Sequence, residues 1–161
     1  MTRQEATVFY RTHSRAVYNT ALRILGNEAD AAEVMQDTLL KYLSGGVRSG
    51  SKAQAAAWLR TTCIRKSIDR LRSNNKYPAF VNADDLMDVP EEESMDLPSI
   101  EQVHLAMKSL PEPYALVLNL VLIEGLSYKQ ITDITGQKET TLRSIYARGR
   151  QKLMKTLTNH E

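Results

Sequence analysis

Apolar side chains recur at helical spacing along residues 1–72, in three successive stretches. The first stretch ends at Leu25, where Gly26 and Asn27 interrupt the pattern. The second is predicted over about 30–43 and the third over about 55–72, with a polar loop between them. The inward positions of the second helix should be Val34, Met35, Leu39, Leu40 and Leu43. No segment alternates apolar and polar residues long enough to predict a strand, so the pattern indicates an all-α fold.

A second group of helices is predicted from Ser99 onward. Ser99 and Gln102 have the spacing of a capping box, in which each residue satisfies a backbone N–H of the other. That helix should run to about Leu110, where prolines end it. Another helix should run from about 113 to 123, and Gly125 should close it.

Residues 127–157 have the pattern of a helix-turn-helix. Ser127 and Gln130 form another capping box, and Gly136 supplies the tight turn. The second helix is predicted from about 138–140 to about 157. Its inward positions should be Leu142, Ile145, Tyr146, Gly149 and Leu153. Its outward positions should be Arg143, Ser144, Ala147, Arg148 and Gln151.

The outward face of this last helix suits the major groove of DNA. Arginine can donate two hydrogen bonds to guanine, serine and glutamine can read polar base edges, and alanine can touch the thymine methyl group. The alternative is a basic surface helix that is only solvated. The capped helix, the glycine turn and the basic second helix together favour DNA binding.

Charge divides the chain into three blocks. Residues 1–72 carry twelve basic and six acidic residues, residues 73–99 carry one and seven, and residues 100–161 carry eight and six. The middle block also contains several prolines and has little apolar surface to bury. We therefore predict two small helical domains, 1–73 and 99–161, joined by an acidic flexible linker over 74–98. The alternative is a surface loop within a single domain.

Composition limits the other function classes. The chain of 161 residues is 42% apolar and has one cysteine, Cys63, so no internal disulfide can form. No signal-peptide pattern begins it and its longest apolar run is too short to span a bilayer, so we expect a soluble, cytoplasmic protein. The histidines lack the spacing of metal ligands, and no phosphate loop or activated nucleophile is evident. We expect no catalysis, metal or cofactor.

Two groups of motifs resemble the sigma-70 family of bacterial RNA polymerase sigma factors. Those that resemble region 4 are LP at 110–111, EGLSYKQI at 124–131 and TLRS at 141–144. Those that resemble regions 2.2 to 2.4 are AEVMQD at 32–37, WL at 58–59 and IDRLR at 68–72. The order of the motifs, and an acidic linker where other members carry region 3, resemble the two-domain extracytoplasmic-function (ECF) group.

The resemblance implies a non-enzymatic protein that binds core RNA polymerase and directs it to promoters. The N-terminal domain would contact polymerase and the −10 element, and the C-terminal domain would read the −35 element. The implied polymerase contacts are Glu33, Gln36 and Asp37, with Leu40 as the apolar centre of that face. The implied −10 contacts are Arg60, Arg65, Lys66, Arg70 and Arg72. The implied −35 contacts are Lys138, Thr140, Thr141, Arg143, Ser144, Ala147, Arg148 and Gln151. An anti-sigma protein is a further partner that such factors commonly have.

The chain departs from the family pattern at several positions. Arg65 stands where the family usually has Asn, Thr140 where Gly is common, and Ile145 where Arg is common. The loop over 44–54 has no aromatic residue, so capture of an unstacked −10 base would depend on hydrogen bonds and backbone shape. These departures bear on which promoter sequence is read.

Two other functions remain as alternatives. A stand-alone helix-turn-helix regulator would bind an operator without polymerase, but the first helical domain has no evident ligand pocket or phosphoacceptor site. A dimeric regulator would also need half-sites spaced by a helical turn. The third class is a helical enzyme or interaction adaptor.

Overall fold

The computed structural model describes residues 2–45, 50–80 and 99–158, and the regular elements of these residues are all helical, as predicted. The helices are α1 (Arg3–Leu25), α2 (Glu28–Ser44), α3 (Lys52–Ser73), α4 (Ile100–Met107), α5 (Tyr114–Leu118), α6 (Tyr128–Thr135) and α7 (Glu139–Thr158), and a π-helical turn (Asn119–Ile123) continues α5. Contacts divide the chain into an N-terminal unit, Met1–Tyr77, and a C-terminal unit, Pro78–Glu161. Residues 81–98 of the predicted linker and residues 46–49 of the polar loop lie outside the described residues.

Local capping sets the ends of the N-terminal helices. At the end of α1, Gly26 adopts a left-handed conformation with φ 67°, and its N–H donates to the Leu22 carbonyl at 2.8 Å. Helix α3 begins at Lys52, earlier than its apolar pattern predicts, because Ser51 and Gln54 form a capping box. The Ser51 Oγ accepts from the Gln54 N–H at 3.2 Å, and the Ser51 N–H donates to the Gln54 side chain at 3.0 Å.

The core of the N-terminal unit lies between its three helices. Leu39 of α2 and Leu59, Ile64 and Ile68 of α3 are at most 1% exposed. Each such side chain stabilises the folded state by about 1.5–3 kcal/mol relative to leaving it in water. The buried Cys63 donates its S–H to the Val17 carbonyl at 3.4 Å, which adds a polar contact between α1 and α3.

Leu40 does not belong to this core, contrary to the prediction from its spacing. Its side chain is 60% exposed, whereas the adjacent Leu39 is fully buried. Consecutive helical residues lie about 100° apart, so only one of the pair can point directly inward. The preceding residue, Thr38, is also fully buried. Its hydroxyl donates to the Val34 carbonyl at 2.7 Å.

An aromatic cluster joins the three N-terminal helices. The Phe9 ring stacks on Tyr42 with centroids 4.5 Å apart, and Tyr42 meets Trp58 edge-on at 5.4 Å. The His13 ring also packs against Phe9, with centroids 4.5 Å apart. Partial burial of the imidazole, followed by the charge of Lys52, lowers the pKa of His13 from its usual 6.5.

We expect this histidine to make the N-terminal unit less stable in acid. A pKa lowered by folding means that the folded state favours neutral imidazole, so this stability is present above about pH 6.5 and is lost as the pH falls through the folded-state pKa. Urea unfolding at a series of pH values, followed by fluorescence of the single tryptophan, Trp58, measures the loss. The variant His13→Gln should have a shallower slope in this range, and an unchanged slope would contradict the assignment.

In the C-terminal unit, α7 packs against α4, α5 and α6. Gly149 allows the close approach of α5: a Cβ there would lie 3.1 Å from the Leu118 Cδ1 and 3.3 Å from the Tyr114 Cβ. Helix α4 ends at Met107, before the predicted Leu110. The predicted helix after Pro113 is present, but its second half is π-helical, with the Glu124 N–H donating to the Asn119 carbonyl at 3.0 Å. Apolar periodicity does not distinguish such a turn from an α-helix.

Candidate nucleic-acid interface

Helices α6 and α7 form the predicted helix-turn-helix. The Ser127 Oγ accepts from the Gln130 N–H at 3.1 Å, and the Ser127 N–H donates to the Gln130 side chain at 2.9 Å. At the other end of α6, Gly136 has φ 78°, a conformation that glycine adopts without strain. The fully buried Ile131 on α6 and Leu142 and Ile145 on α7 form the apolar interior.

Arg143 is the best-defined cation on the outward face of α7. Its side chain is 65% exposed, and its guanidinium lies over the Tyr128 ring, 4.7 Å from the centroid. The Glu139 carboxylate is 3.8 Å from the Arg143 Nη2, one helical turn earlier. The guanidinium thus points to solvent with an aromatic ring beneath it. Such a donor fork can meet the edge of a guanine in the major groove.

The other predicted −35 residues do not all share this face. Lys138 and Thr140 are exposed at the start of α7, and Ser144, Ala147 and Gln151 are half-buried along it.

Arg148 departs from the outward position that the pattern predicts, and Thr141 departs from the −35 contact that the resemblance implies. Thr141 is 6% exposed, so its side chain does not reach the outward face. Arg148 is half-buried and its Nε is buried. The reason is their position: residues 141, 145 and 148 follow helical spacing and share a side of α7, and Ile145 is fully buried.

The predicted −10 cations of α3 differ in their exposure and in the side of the helix on which they lie. Arg60 and Arg65 are exposed, Lys66 is half-buried, and Arg72 is exposed. Arg65 and Arg72 are seven residues apart and share a face, whereas Arg60 precedes Arg65 by five residues and lies on another side. The Arg72 guanidinium stacks on Tyr77 at 4.6 Å and pairs with Asp69 at 3.4 Å.

Arg70 links α3 to α2 through ion pairs and does not belong to the exposed face of α3. Its Nη1 donates to the Asp30 carboxylate at 3.0 Å and to the Glu33 carboxylate at 3.1 Å. Asp30 also accepts from the Asn74 Nδ2 at 3.1 Å. The hydrogen bond to Glu33 is the largest cause that raises the pKa of Arg70, so the guanidinium is charged at every accessible pH. The start of α2 is thereby fastened to the end of α3.

The residues predicted to contact polymerase share one face of α2. Residues 33, 36, 37 and 40 follow helical spacing, and all are exposed. Glu33 is 59% exposed although it accepts from Arg70, and Leu40 is 60% exposed. The face therefore places an exposed apolar residue next to acidic and amide groups.

Sequence reasoning did not identify Tyr128, Asp30 or Asn74. Each contacts an arginine or the partner of an arginine, and such contacts across helices cannot be predicted from the spacing of residues. Among the described residues, no group of three or more His, Cys, Asp and Glu side chains is arranged to hold a metal ion. No helix there is both long and apolar enough to cross a membrane.

Comparison with known families accounts for both units. The model for Sigma-70 region 2 matches residues 9–77, and the model for Sigma-70, region 4 matches residues 100–153. The chain belongs to the sigma-70 family. In this sigma-70 family member, region 2 covers most of α1 and all of α2 and α3, and region 4 covers α4 to most of α7.

Two curated relatives and one solved structure are similar to this chain. The ECF RNA polymerase sigma factor SigE of Mycolicibacterium smegmatis is 30% identical over 93% of this chain, which spans 60% of the SigE length. RNA polymerase sigma factor SigV of Bacillus subtilis is 25% identical over 82% of this chain and 78% of its own length. The sigma factor RpoE of Bartonella quintana, solved in complex with the anti-sigma factor NepR, shares the fold with a TM-score of 0.58 and 18% identity, over 98% of this chain and 99% of RpoE.

Proposed function

We propose that this sigma-70 family member is a promoter-specificity subunit of RNA polymerase, of the ECF type. It binds core polymerase, contacts the −10 element through the N-terminal unit, and reads the −35 element through α7. The observation that carries the proposal is the matching of both sigma regions in one chain, with a helix-turn-helix in region 4 that presents Arg143 outward. A stand-alone regulator would not need region 2.

The proposal assigns residues 1–73 to the −10 and polymerase domain, 74–98 to an acidic linker, and 99–161 to the −35 domain. It places the protein in the cytoplasm, where polymerase is, and gives it no catalytic step, as for the family. An anti-sigma protein is a further proposed partner, and the RpoE–NepR complex is the precedent for one.

The geometry reshapes the proposed DNA contacts. For −35, the set centres on Arg143, with Lys138, Thr140, Ser144, Ala147 and Gln151 beside it. Thr141 is buried and the Arg148 Nε is buried, so we leave both residues out of the direct set. For −10, the exposed Arg60, Arg65 and Arg72 and the half-buried Lys66 are the phosphate contacts. Arg70 is assigned to holding α2 against α3.

Complex formation tests the assignment to polymerase. The full chain and purified core RNA polymerase are mixed and separated by size exclusion, and the complex is footprinted on genomic promoter fragments. We expect a stable complex that protects two separate elements, which the protein alone does not protect. Protection of an operator by the protein alone, with no complex formed, would support the stand-alone regulator instead.

Asp37→Ala should weaken binding to core polymerase. Asp37 is exposed on the α2 face beside Gln36 and Leu40, and loss of a contributing contact typically costs about 1–2 kcal/mol, a factor of about 5–30 in affinity. Binding is measured by competition against a labelled wild-type chain.

The matched control is Glu28→Ala, because Glu28 is an exposed acid on the same helix, five residues before Glu33 and away from that face. Its affinity for core polymerase should match wild type. Equal weakening by both variants would point to a general effect of charge and would remove Asp37 from the contact. Binding of the −35 duplex should be the same for both variants.

A further inference from the structure

Tyr128 connects the first helix of the helix-turn-helix to the reading face of the second. It is the first residue of α6, directly after the Ser127 cap. Its ring lies under the Arg143 guanidinium at 4.7 Å and meets Tyr146 of α7 edge-on at 6.2 Å. One aromatic side chain therefore contacts both a buried-side tyrosine and an outward-facing arginine.

The ring itself has a fixed position. Tyr128 is half-buried, and this burial is the largest cause that raises the pKa of its hydroxyl; Tyr146 raises it further and Arg143 lowers it. The capping box holds the backbone on the preceding side, and Tyr146 holds one edge of the ring. Tyr128 thus places a half-buried ring beneath an arginine whose side chain is 65% exposed.

Glu139 is a weaker restraint on the same arginine. The carboxylate is 3.8 Å from the Arg143 Nη2, longer than a hydrogen bond, and the two side chains are 65% and 52% exposed. Exposed ion pairs of this kind contribute little and are screened by salt. The aromatic ring is the stronger restraint, because it stacks on the flat guanidinium. This contact depends less on ionic strength than the ion pair does.

We propose that Tyr128 is a specificity-determining positioning residue, which holds the Arg143 guanidinium in the orientation that reads a guanine in the −35 element. A long arginine loses rotamer freedom when it makes a two-hydrogen-bond contact to the guanine O6 and N7. The ring removes part of that freedom before DNA binds, so more of the contact free energy remains for discrimination between bases. This inference rests on the proposed function, in that α7 must read the −35 element.

The test uses the full chain bound to core RNA polymerase. The probe is a library in which the −35 element is randomised upstream of a genomic promoter fragment that the wild-type holoenzyme binds. Bound duplexes are sequenced, and base preference is measured at each position for wild type, for Tyr128→Leu, Tyr128→Phe, Arg143→Ala and Arg143→Lys, and for the double variant that combines Tyr128→Leu with Arg143→Lys. Thermal unfolding of each variant is measured alongside.

We expect Arg143→Ala to abolish the preference for guanine at one position. Tyr128→Leu should reduce the preference at that same position about five- to tenfold and leave the other positions within about twofold. Tyr128→Phe keeps the ring and should match wild type. Arg143→Lys keeps the charge without the planar fork, and adding Tyr128→Leu to it should change nothing further.

Three outcomes would overturn the inference, and they are distinguishable. If Arg143→Ala changes no position, the assignment of Arg143 to −35 reading fails and the positioning role fails with it. If Arg143→Ala removes a preference that Tyr128→Leu retains, only the positioning role fails. If Tyr128→Leu weakens the binding of all duplexes equally, the role of Tyr128 is only structural. If the leucine variant unfolds, Tyr128→Met replaces it, because methionine restores bulk without a flat ring.

Discussion

Gly149→Val is expected to unfold most of the C-terminal unit at temperatures where the wild-type unit is folded. A Cβ at this position already lies 3.1 Å from the Leu118 Cδ1 and 3.3 Å from the Leu118 Cγ, inside the optimal carbon–carbon separation of about 3.5–4.0 Å. Valine adds two further methyl groups against α5, and overpacking of this kind costs about 2–3 kcal/mol. A domain of this size has only about 3–5 kcal/mol to lose.

The measurement is thermal unfolding by far-UV circular dichroism, with Trp58 fluorescence as a separate probe of the N-terminal unit. The midpoint temperature of the circular dichroism transition that belongs to the C-terminal unit should fall by roughly 10 °C or more. The Trp58 transition should not move. Binding of the −35 duplex should be lost over the temperature range in which the C-terminal unit unfolds.

Gly149→Ala is the matched control. It brings the same Cβ contact, but alanine stabilises a helix interior by about 1 kcal/mol relative to glycine, which offsets part of the crowding. We expect a change in stability below about 1 kcal/mol. If valine is tolerated as well as alanine, α5 and α7 are not as close as the structure has them.

Arg70→Ala is expected to destabilise the N-terminal unit by about 2 kcal/mol, through loss of charge-assisted hydrogen bonds worth about 1.5–3 kcal/mol. The Arg70 and Asp30 side chains are 24% and 25% exposed, so solvent only partly replaces the lost contact. In this variant Asp30 would keep the hydrogen bond from Asn74 but lose the one from Arg70. Urea unfolding followed by Trp58 fluorescence gives the free energy directly.

Arg65→Ala is the comparison on the same helix. Arg65 is exposed, and surface substitutions of this kind stay within about 0.5 kcal/mol. We expect the reverse pattern in DNA binding, where Arg65→Ala weakens the −10 contact at low salt and Arg70→Ala does so only through lost stability. Wild-type stability in the Arg70→Ala protein would return this residue to the DNA-contact set.

The features that the sequence predicted well are those that adjacent residues determine. The capping boxes at Ser99 and Ser127 and the left-handed Gly136 all appear as expected, because each depends on residues within three positions of one another. The capping box at Ser51 follows the same rule, but the apolar pattern does not indicate it, because the pattern of α3 becomes visible only near Ala55. Leu40 shows the limit of periodicity, which cannot decide between two adjacent leucines.

The features that escaped prediction depend on residues distant in sequence. Arg70 and Asp30 are 40 positions apart, and their pairing changes the role of a cation that the family resemblance places on DNA. On α7, the inward side is broader than its leucines indicate because α4, α5 and α6 all pack against the helix. Thr141 is therefore buried, and so is the Nε of Arg148. Periodicity predicts the outward position of Arg143, but it does not predict the contact with Tyr128, which lies on the other helix.

Promoter-directed transcription is the most direct test of the central claim, that this chain gives core RNA polymerase its promoter specificity. The full chain and core polymerase are supplied with a genomic promoter fragment recovered by the footprint, and with two copies of it that carry substitutions only at −35 or only at −10. The account predicts a defined transcript that requires the added protein and is strongly reduced by either substitution. A transcript that forms equally without the protein, or that neither substitution affects, would contradict the account.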